Sequence, residues 1–160
     1  MAIDGFDYKQ YVEYVNSLEI ATQDFDTFLK KFLLEQAQRV VAKAKRRTPV
    51  DTGALRASWG IGSQKLVFIS NMNYEGNVDV SLDTKNSTIA DISVIGDNLE
   101  VTIWNGMEYA SYVELGHSTP AGNWVRGYFM LTISISEVEK AMSGRFDKEF
   151  KQFLKSKGVI

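Results

Sequence analysis

The sequence predicts an α+β fold: a long N-terminal helix packed on a small antiparallel β-sheet, with C-terminal helices. Three stretches predict it. Residues 24–47 place Phe25, Phe28, Leu29, Phe32, Leu33, Ala37, Val40, Val41 and Ala44 at three- and four-residue intervals, the period of a helix with a buried face. Around Gly96-Asp97-Asn98, the segments Ile89–Ile95 and Leu99–Trp104 read as a hairpin, because Leu99, Val101 and Ile103 alternate with Glu100 and Thr102. Phe146, Phe150, Phe153 and Leu154 then mark an amphipathic helix with Lys148, Lys151 and Lys155 outward.

The elements follow in order. Tyr8, Tyr11, Val12, Val15 and Leu18 predict a short helix in an N-terminal segment, residues 1–23. A second, longer helix begins near Asp24, with Thr22 as candidate N-cap and Asp24 and Asp26 at the positive end of its dipole. Lys43, Lys45, Arg46 and Arg47 suit its negative end. Pro49 disfavours helical geometry at Thr48 and stops it. Asp51 or Thr52 can cap a turn through Leu55, Arg56 and Ser58. Trp59–Ile61 and Leu66–Ser70 are candidate strands. Residues 71–88 carry few apolar positions and read as a long polar loop. After the hairpin, residues 108–115 have helical spacing at Tyr109, Tyr112 and Val113, with Gly116 placed to end the element. Residues 117–126 hold Pro120, Gly122 and Asn123 and read as loop. Tyr128–Met142 is a further helix candidate that Gly144 breaks, although Thr132, Ile133 and Ile135 leave a strand possible at its start.

Composition narrows the function. The 160 residues form one domain's worth of chain, 44% apolar and 24% charged, with a net charge of −2. That balance argues against a dedicated nucleic-acid binder. The absence of cysteine excludes a disulfide scaffold, a thiolate metal site and a cysteine nucleophile. No stretch approaches the ~18 apolar residues of a membrane span. No secretory signal is visible, so the expectation is a soluble product of the cytoplasm.

Charge is distributed in blocks. Residues 1–29 carry net −5, 30–65 net +7, 66–126 net −6 and 127–160 net +2. Such blocks are either solvated faces of separate elements or complementary faces of neighbouring copies. Arg39, Lys43, Arg46 and Arg47 fall at helical spacing. They read as a solvated helix end, a phosphate contact, or a contact with an acidic neighbour. Asp79, Asp83 and Asp91 lack calcium-loop spacing and serve to keep a polar segment solvated.

The sequence holds no catalytic constellation. Gly60-Ile61-Gly62-Ser63-Gln64-Lys65 departs from both common phosphate-loop patterns. His117 is the single histidine, and no serine sits in a nucleophile-elbow sequence. The expectation is a protein that is not an enzyme, with no cofactor and no metal.

Two motifs carry a resemblance: Thr48-Pro49-Val50-Asp51-Thr52-Gly53-Ala54-Leu55-Arg56-Ala57-Ser58-Trp59 and Tyr109-Ala110-Ser111-Tyr112-Val113-Glu114-Leu115-Gly116-His117-Ser118. With Trp124–Leu131 as a third piece, the sequence resembles the head–tail joining, or tail-completion, family of tailed bacteriophages and prophages over residues 24–155. The resemblance implies a structural part of the virion neck, assembled in the host cytoplasm. It also implies a ring of copies around the DNA channel, in contact with connector and tail proteins, without sequence-specific DNA binding and without a membrane. A tail terminator capping the tube is the alternative within phage biology, and a small DNA-binding accessory protein is a second. Pro49, Asp51, Thr52, Gly53, Leu55, Arg56, Tyr109, Tyr112, Glu114 and Gly116 are the motif residues. Residue chemistry gives several of them a task. Asp51 can cap a turn, Gly53 permits an unusual backbone angle, and Leu55 and Trp59 bury together. Arg56 either pairs with Glu114 and ties the two motifs together or stands exposed without a partner. Asp79, Asp83 and Asp91 could face the channel and let the duplex slide.

Overall fold

The computed structural model describes residues 8–62, 87–96 and 98–160. Its first element, α1 (Tyr8–Arg47), is 40 residues long, which corresponds to about 60 Å at 1.5 Å per residue. Two helices were expected here, and one is found. Nothing between Leu18 and Asp24 stops the chain, since Ala21-Thr22-Gln23 contains neither proline nor glycine. Thr22 is no cap. Its hydroxyl donates to the Leu18 carbonyl at 2.9 Å, a bond made inside a continuing helix.

Four short segments follow: α2 (Ala54–Ala57), β1 (Trp59–Ile61), a 3₁₀ turn (Ile89–Asp91) and β2 (Ile92–Ile95). Next come β3 (Asn98–Val101), β4 (Ile103–Asn105), α3 (Ala110–Leu115), β5 (Gly116–Ser118) and β6 (Trp124–Arg126). The last element, α4 (Met130–Ser156), is a single 27-residue helix. It runs through Gly144 rather than breaking there. A Cβ at that position would meet nothing within 4 Å, so the glycine costs only its local propensity, about 1 kcal/mol.

Among the described residues the strands form three small antiparallel pairs, β1–β4, β2–β3 and β5–β6. The expected hairpin is present, with Ile92 opposite Val101 and Ile95 opposite Asn98. Its outer ends behave differently. Ile89–Asp91 is the 3₁₀ turn, in which the Thr88 amide donates to Asp91 at 2.7 Å and Thr88 Oγ1 accepts from the Ala90 amide. Trp104 belongs to the β1–β4 pair, opposite Gly60. The Trp104 ring lies so close to Gly60 that a Cβ there would stand 2.4 Å from it. Gly60 therefore serves packing, and the Gly62 amide donates to the Thr102 carbonyl at 2.8 Å. Residues 117–126, expected as loop, contain the β5–β6 pair closed by a Thr119–Asn123 turn. The candidate strand 66–70, most of the polar loop 71–88, and Asp79 and Asp83 lie outside the described residues.

Helix α1 is buried on two sides. Leu34, Ala37, Val41 and Ala44 join Leu55, Trp59, Ile61, Ile92 and Met130 in the main core. The alanines let the strands approach the helix axis closely. On the other side Phe25, Phe28 and Phe32 meet Phe146, Phe150 and Phe153 of α4, with ring centroids between 4.8 and 6.4 Å apart. Offset and tilted aromatic contacts of this kind add about 0.5–1.5 kcal/mol per pair beyond area burial.

Helix α4 runs antiparallel to α1, as its two ends show. Near its start, Glu137 accepts from Lys43 at 2.6 Å and from Arg47, and Arg47 also donates to Ser134 at 3.2 Å. Near its end, Lys157 pairs with Asp24. Glu137 is held below the usual carboxylate range, chiefly by the Lys43 hydrogen bond against the opposing effect of burial, with Arg47 and Lys140 adding attraction. A carboxyl group lowered in the folded state stabilises the fold above its ordinary range and loses that effect as pH falls through the folded value. Glu137→Gln should therefore melt below the native chain at neutral pH. The gap in melting temperature should close as pH falls from the ordinary carboxylate range through the lower folded value.

Candidate functional site: two motifs around one cleft

The two motifs meet where α1 ends. Thr48 organises this junction. Its hydroxyl donates to the Ala44 carbonyl at 2.7 Å and accepts from Trp59 Nε1 at 2.9 Å. Its own carbonyl accepts from Arg56 Nη2 at 2.9 Å. A guanidinium thus sits on one of the last carbonyls of α1, where a cation complements the helix dipole. Gly53 takes φ of +87° and turns the chain into α2, and Leu55 and Trp59 bury together as expected. Asp51 does not cap that turn; Thr52 Oγ1 accepts from the Ala54 amide instead. Asn105 ties the neighbouring segment in, donating to the Leu55 carbonyl at 2.8 Å and accepting from the Met107 amide.

The second motif builds the entry to α4. Glu114 Oε2 accepts from the Leu131 amide at 2.9 Å, and Oε1 accepts from the Thr132 amide and hydroxyl at 2.9 and 2.7 Å. The residue preceding α4, Phe129, has φ of +49° and no side chain able to cap. A carboxylate from another helix does that work, neutralising exposed amides at the positive end of the dipole. Arg56 neither pairs with Glu114 within the chain nor stands without a partner, because each of the two is engaged by a different helix end. Arg56 and Glu114 thus each serve a helix end. Glu114→Ala should destabilise the protein by about 1–2 kcal/mol, the usual loss for a helix cap, read from urea unfolding.

Between the motifs lies an open cleft of about 410 Å³ lined by Pro49, Val50, Asp51, Thr52, Gly53, Leu55, Tyr109 and Val113. Tyr112 is exposed beside it and stands edge-on to His117, ring centroids 5.8 Å apart. Leu115, Trp124, Val125 and Tyr128 extend the apolar surface over α3 and the β5–β6 hairpin, Trp124 being 67% exposed.

The basic residues of α1 divide. Lys43 and Arg47 are turned to Glu137 of α4, while Arg39 and Arg46 are exposed along a groove shared with Gln38 and Arg145. Arg145 in turn donates to the buried Gln36 at 3.0 Å. Asp91, expected on a solvated face, closes the 3₁₀ turn. Among the described residues no group of three or more His, Asp or Glu side chains could hold a metal ion, and no helix is long and apolar enough to cross a membrane.

This is the architecture of a scaffolding part: helix ends clamped by dedicated side chains, with a cleft and an aromatic surface left open. Residues 13–116 match the family described as "Bacteriophage HK97-gp10, putative tail-component". The chain belongs to this HK97 gp10-like family and is a structural component of the phage tail. The matched region runs from the N-terminal part of α1 through the first motif and into the second as far as Gly116, and leaves out the rest of β5, β6 and α4. No curated protein and no solved structure matches the chain.

Proposed function

We propose that this chain is a neck component that completes the tail and joins it to the DNA-filled head, as a ring of copies around the channel. One observation carries the reading beyond tail component. The side chains of Tyr112, Leu115, Trp124, Val125 and Tyr128 are apolar and exposed, yet sit on α3 and on a β5–β6 hairpin that the Tyr128 and Phe129 amides tie to Val113 and Glu114 and that leads directly into α4. An exposed apolar patch on such a scaffold marks a protein interface, and its partners are the connector and tail proteins on either side. DNA passes nearby without being read. Lys43 and Arg47 are both engaged by Glu137, which weighs against the accessory DNA-binding reading.

Production of phage particles without this protein tests the proposal. Packed heads and separate tails of normal length are the expected products, and the purified protein should restore joining. Tails of irregular length would identify a terminator instead. Particles joined normally in its absence would overturn both.

A further inference from the structure

We propose that successive copies associate pole to pole, the N-terminal arm of α1 in one copy seating in the inter-motif cleft of the next. The inference rests on the ring reading above and names its lateral contact. The Lys157–Asp24 pair shows where α4 ends against α1. Residues 8–20 therefore project beyond it, about 20 Å of helix. The apolar stripe that α4 covers at Phe25 and Phe28 continues along this arm at the same spacing, through Leu18 and Tyr14, with Val15 beside them. These three side chains are 49%, 40% and 38% exposed at Tyr14, Val15 and Leu18.

The cleft lies at the opposite end of the same rod and presents Val50, Leu55, Tyr109 and Val113. The poles also differ in charge. Glu13 and Glu19 flank the arm, which also carries Lys9. Arg46 and Arg56 stand at the cleft end of α1 outside the lining, in which Asp51 is the one charged side chain. An acidic apolar arm and a basic-flanked apolar cleft are complementary. They are separated by most of the roughly 60 Å of α1, so no copy can fill its own cleft. Two different patches meeting head to tail give a heterologous contact, which closes into a ring when the rotation allows. Both patches fall within residues 13–116, the family-matched region, whereas Trp124 and Tyr128 fall outside it.

The test mixes two full-length variants, each altered at exposed positions of one patch. The arm variant is Val15→Asp with Leu18→Asp; the cleft variant is Val50→Asp with Tyr109→Ser. Sedimentation velocity should show oligomers for the native chain and only monomers for each variant alone, with unchanged far-ultraviolet circular dichroism. An equimolar mixture should regain one species of two copies and nothing larger, because one arm and one cleft remain competent. Oligomers from either variant alone would overturn the inference and leave the neck reading intact. So would a native chain that stays monomeric up to millimolar concentration, since neck assembly is tested separately in particles. Should a variant lose helicity, the chain's lack of cysteine offers a second measurement. Leu18→Cys and Val50→Cys proteins should cross-link rapidly when mixed and not when separate, and equal rates would reject the contact.

Discussion

Gly127→Ala is expected to abolish stable folding at 37 °C, and Gly116→Ala to do nearly as much. The two glycines face each other where α3 passes into β5 and β6 passes into α4. A Cβ on Gly127 would stand 2.3 Å from the Glu114 carbonyl oxygen, 2.5 Å from the Leu115 carbonyl carbon and 2.7 Å from the Gly116 amide. A Cβ on Gly116 would stand 2.5 Å from the Val125 carbonyl oxygen, and Gly116 also takes φ of +89°. All these neighbours except one ring atom of Trp124 are backbone, so no rotamer change relieves the clash. The displaced strands carry the hydrogen bonds from the Tyr128 amide to Val113 and from the Phe129 amide to Glu114, at 2.8 and 3.0 Å. They also set the position of Glu114 under α4. Losing the crossing therefore uncaps the helix that supplies half of the phenylalanine cluster. A loss above about 4 kcal/mol is expected, exceptional for one methyl group and a large share of a domain's total stability. Urea unfolding and circular dichroism measure it. A Gly144→Ala variant, whose Cβ meets nothing, serves as the matched control.

That crossing also shows how far the sequence could be read. Periodicity identified the side of α1 that packs on α4, and alternation identified the β2–β3 hairpin, because both signals are local and dense. The motif around Thr48-Pro49 and Gly53 announced a helix stop and a tight turn, and those are present. Punctuation residues misled elsewhere. Thr22 and Gly144 looked like boundaries, yet no proline or glycine interrupts the chain around Thr22, and contacts with α1 on both sides of Gly144, at Glu137 and Phe146, carry α4 through. Pro120, Gly122 and Asn123 correctly marked a turn, but the three-residue strands flanking it have too short a pattern to show an alternation. The roles of Arg56 and Glu114 were out of reach for a different reason. Their charges suit one another, and only the fold reveals that each faces a helix end which needs it more. The exposure of Tyr14, Val15 and Leu18 is likewise a property of where α4 stops, 132 residues further along the chain at Ser156 counted from Asp24.

Replacing Trp59 should separate the packing of the first motif from its hydrogen bonding. Trp59 is 3% exposed in the main core, and its indole nitrogen donates to Thr48, which is itself buried at the end of α1. Trp59→Ala removes a large aromatic volume and leaves a cavity between α1, α2 and β4. Large-to-small changes of this type cost about 3–5 kcal/mol. Trp59→Phe keeps most of the apolar contact and loses the N–H. The Thr48 hydroxyl still donates to Ala44, so only its acceptor capacity is stranded, and a cost of about 1–2 kcal/mol is expected. The difference between the variants reports packing; the smaller value reports the bond. Function should follow the same order with a threshold. The cleft is lined from Pro49 to Leu55, the stretch that Thr48 and Trp59 hold in place, so Trp59→Phe should fold yet assemble more weakly than the native chain. Equal assembly by native and Trp59→Phe protein would show that the cleft is held by Gly53 and the Asn105–Leu55 bond alone.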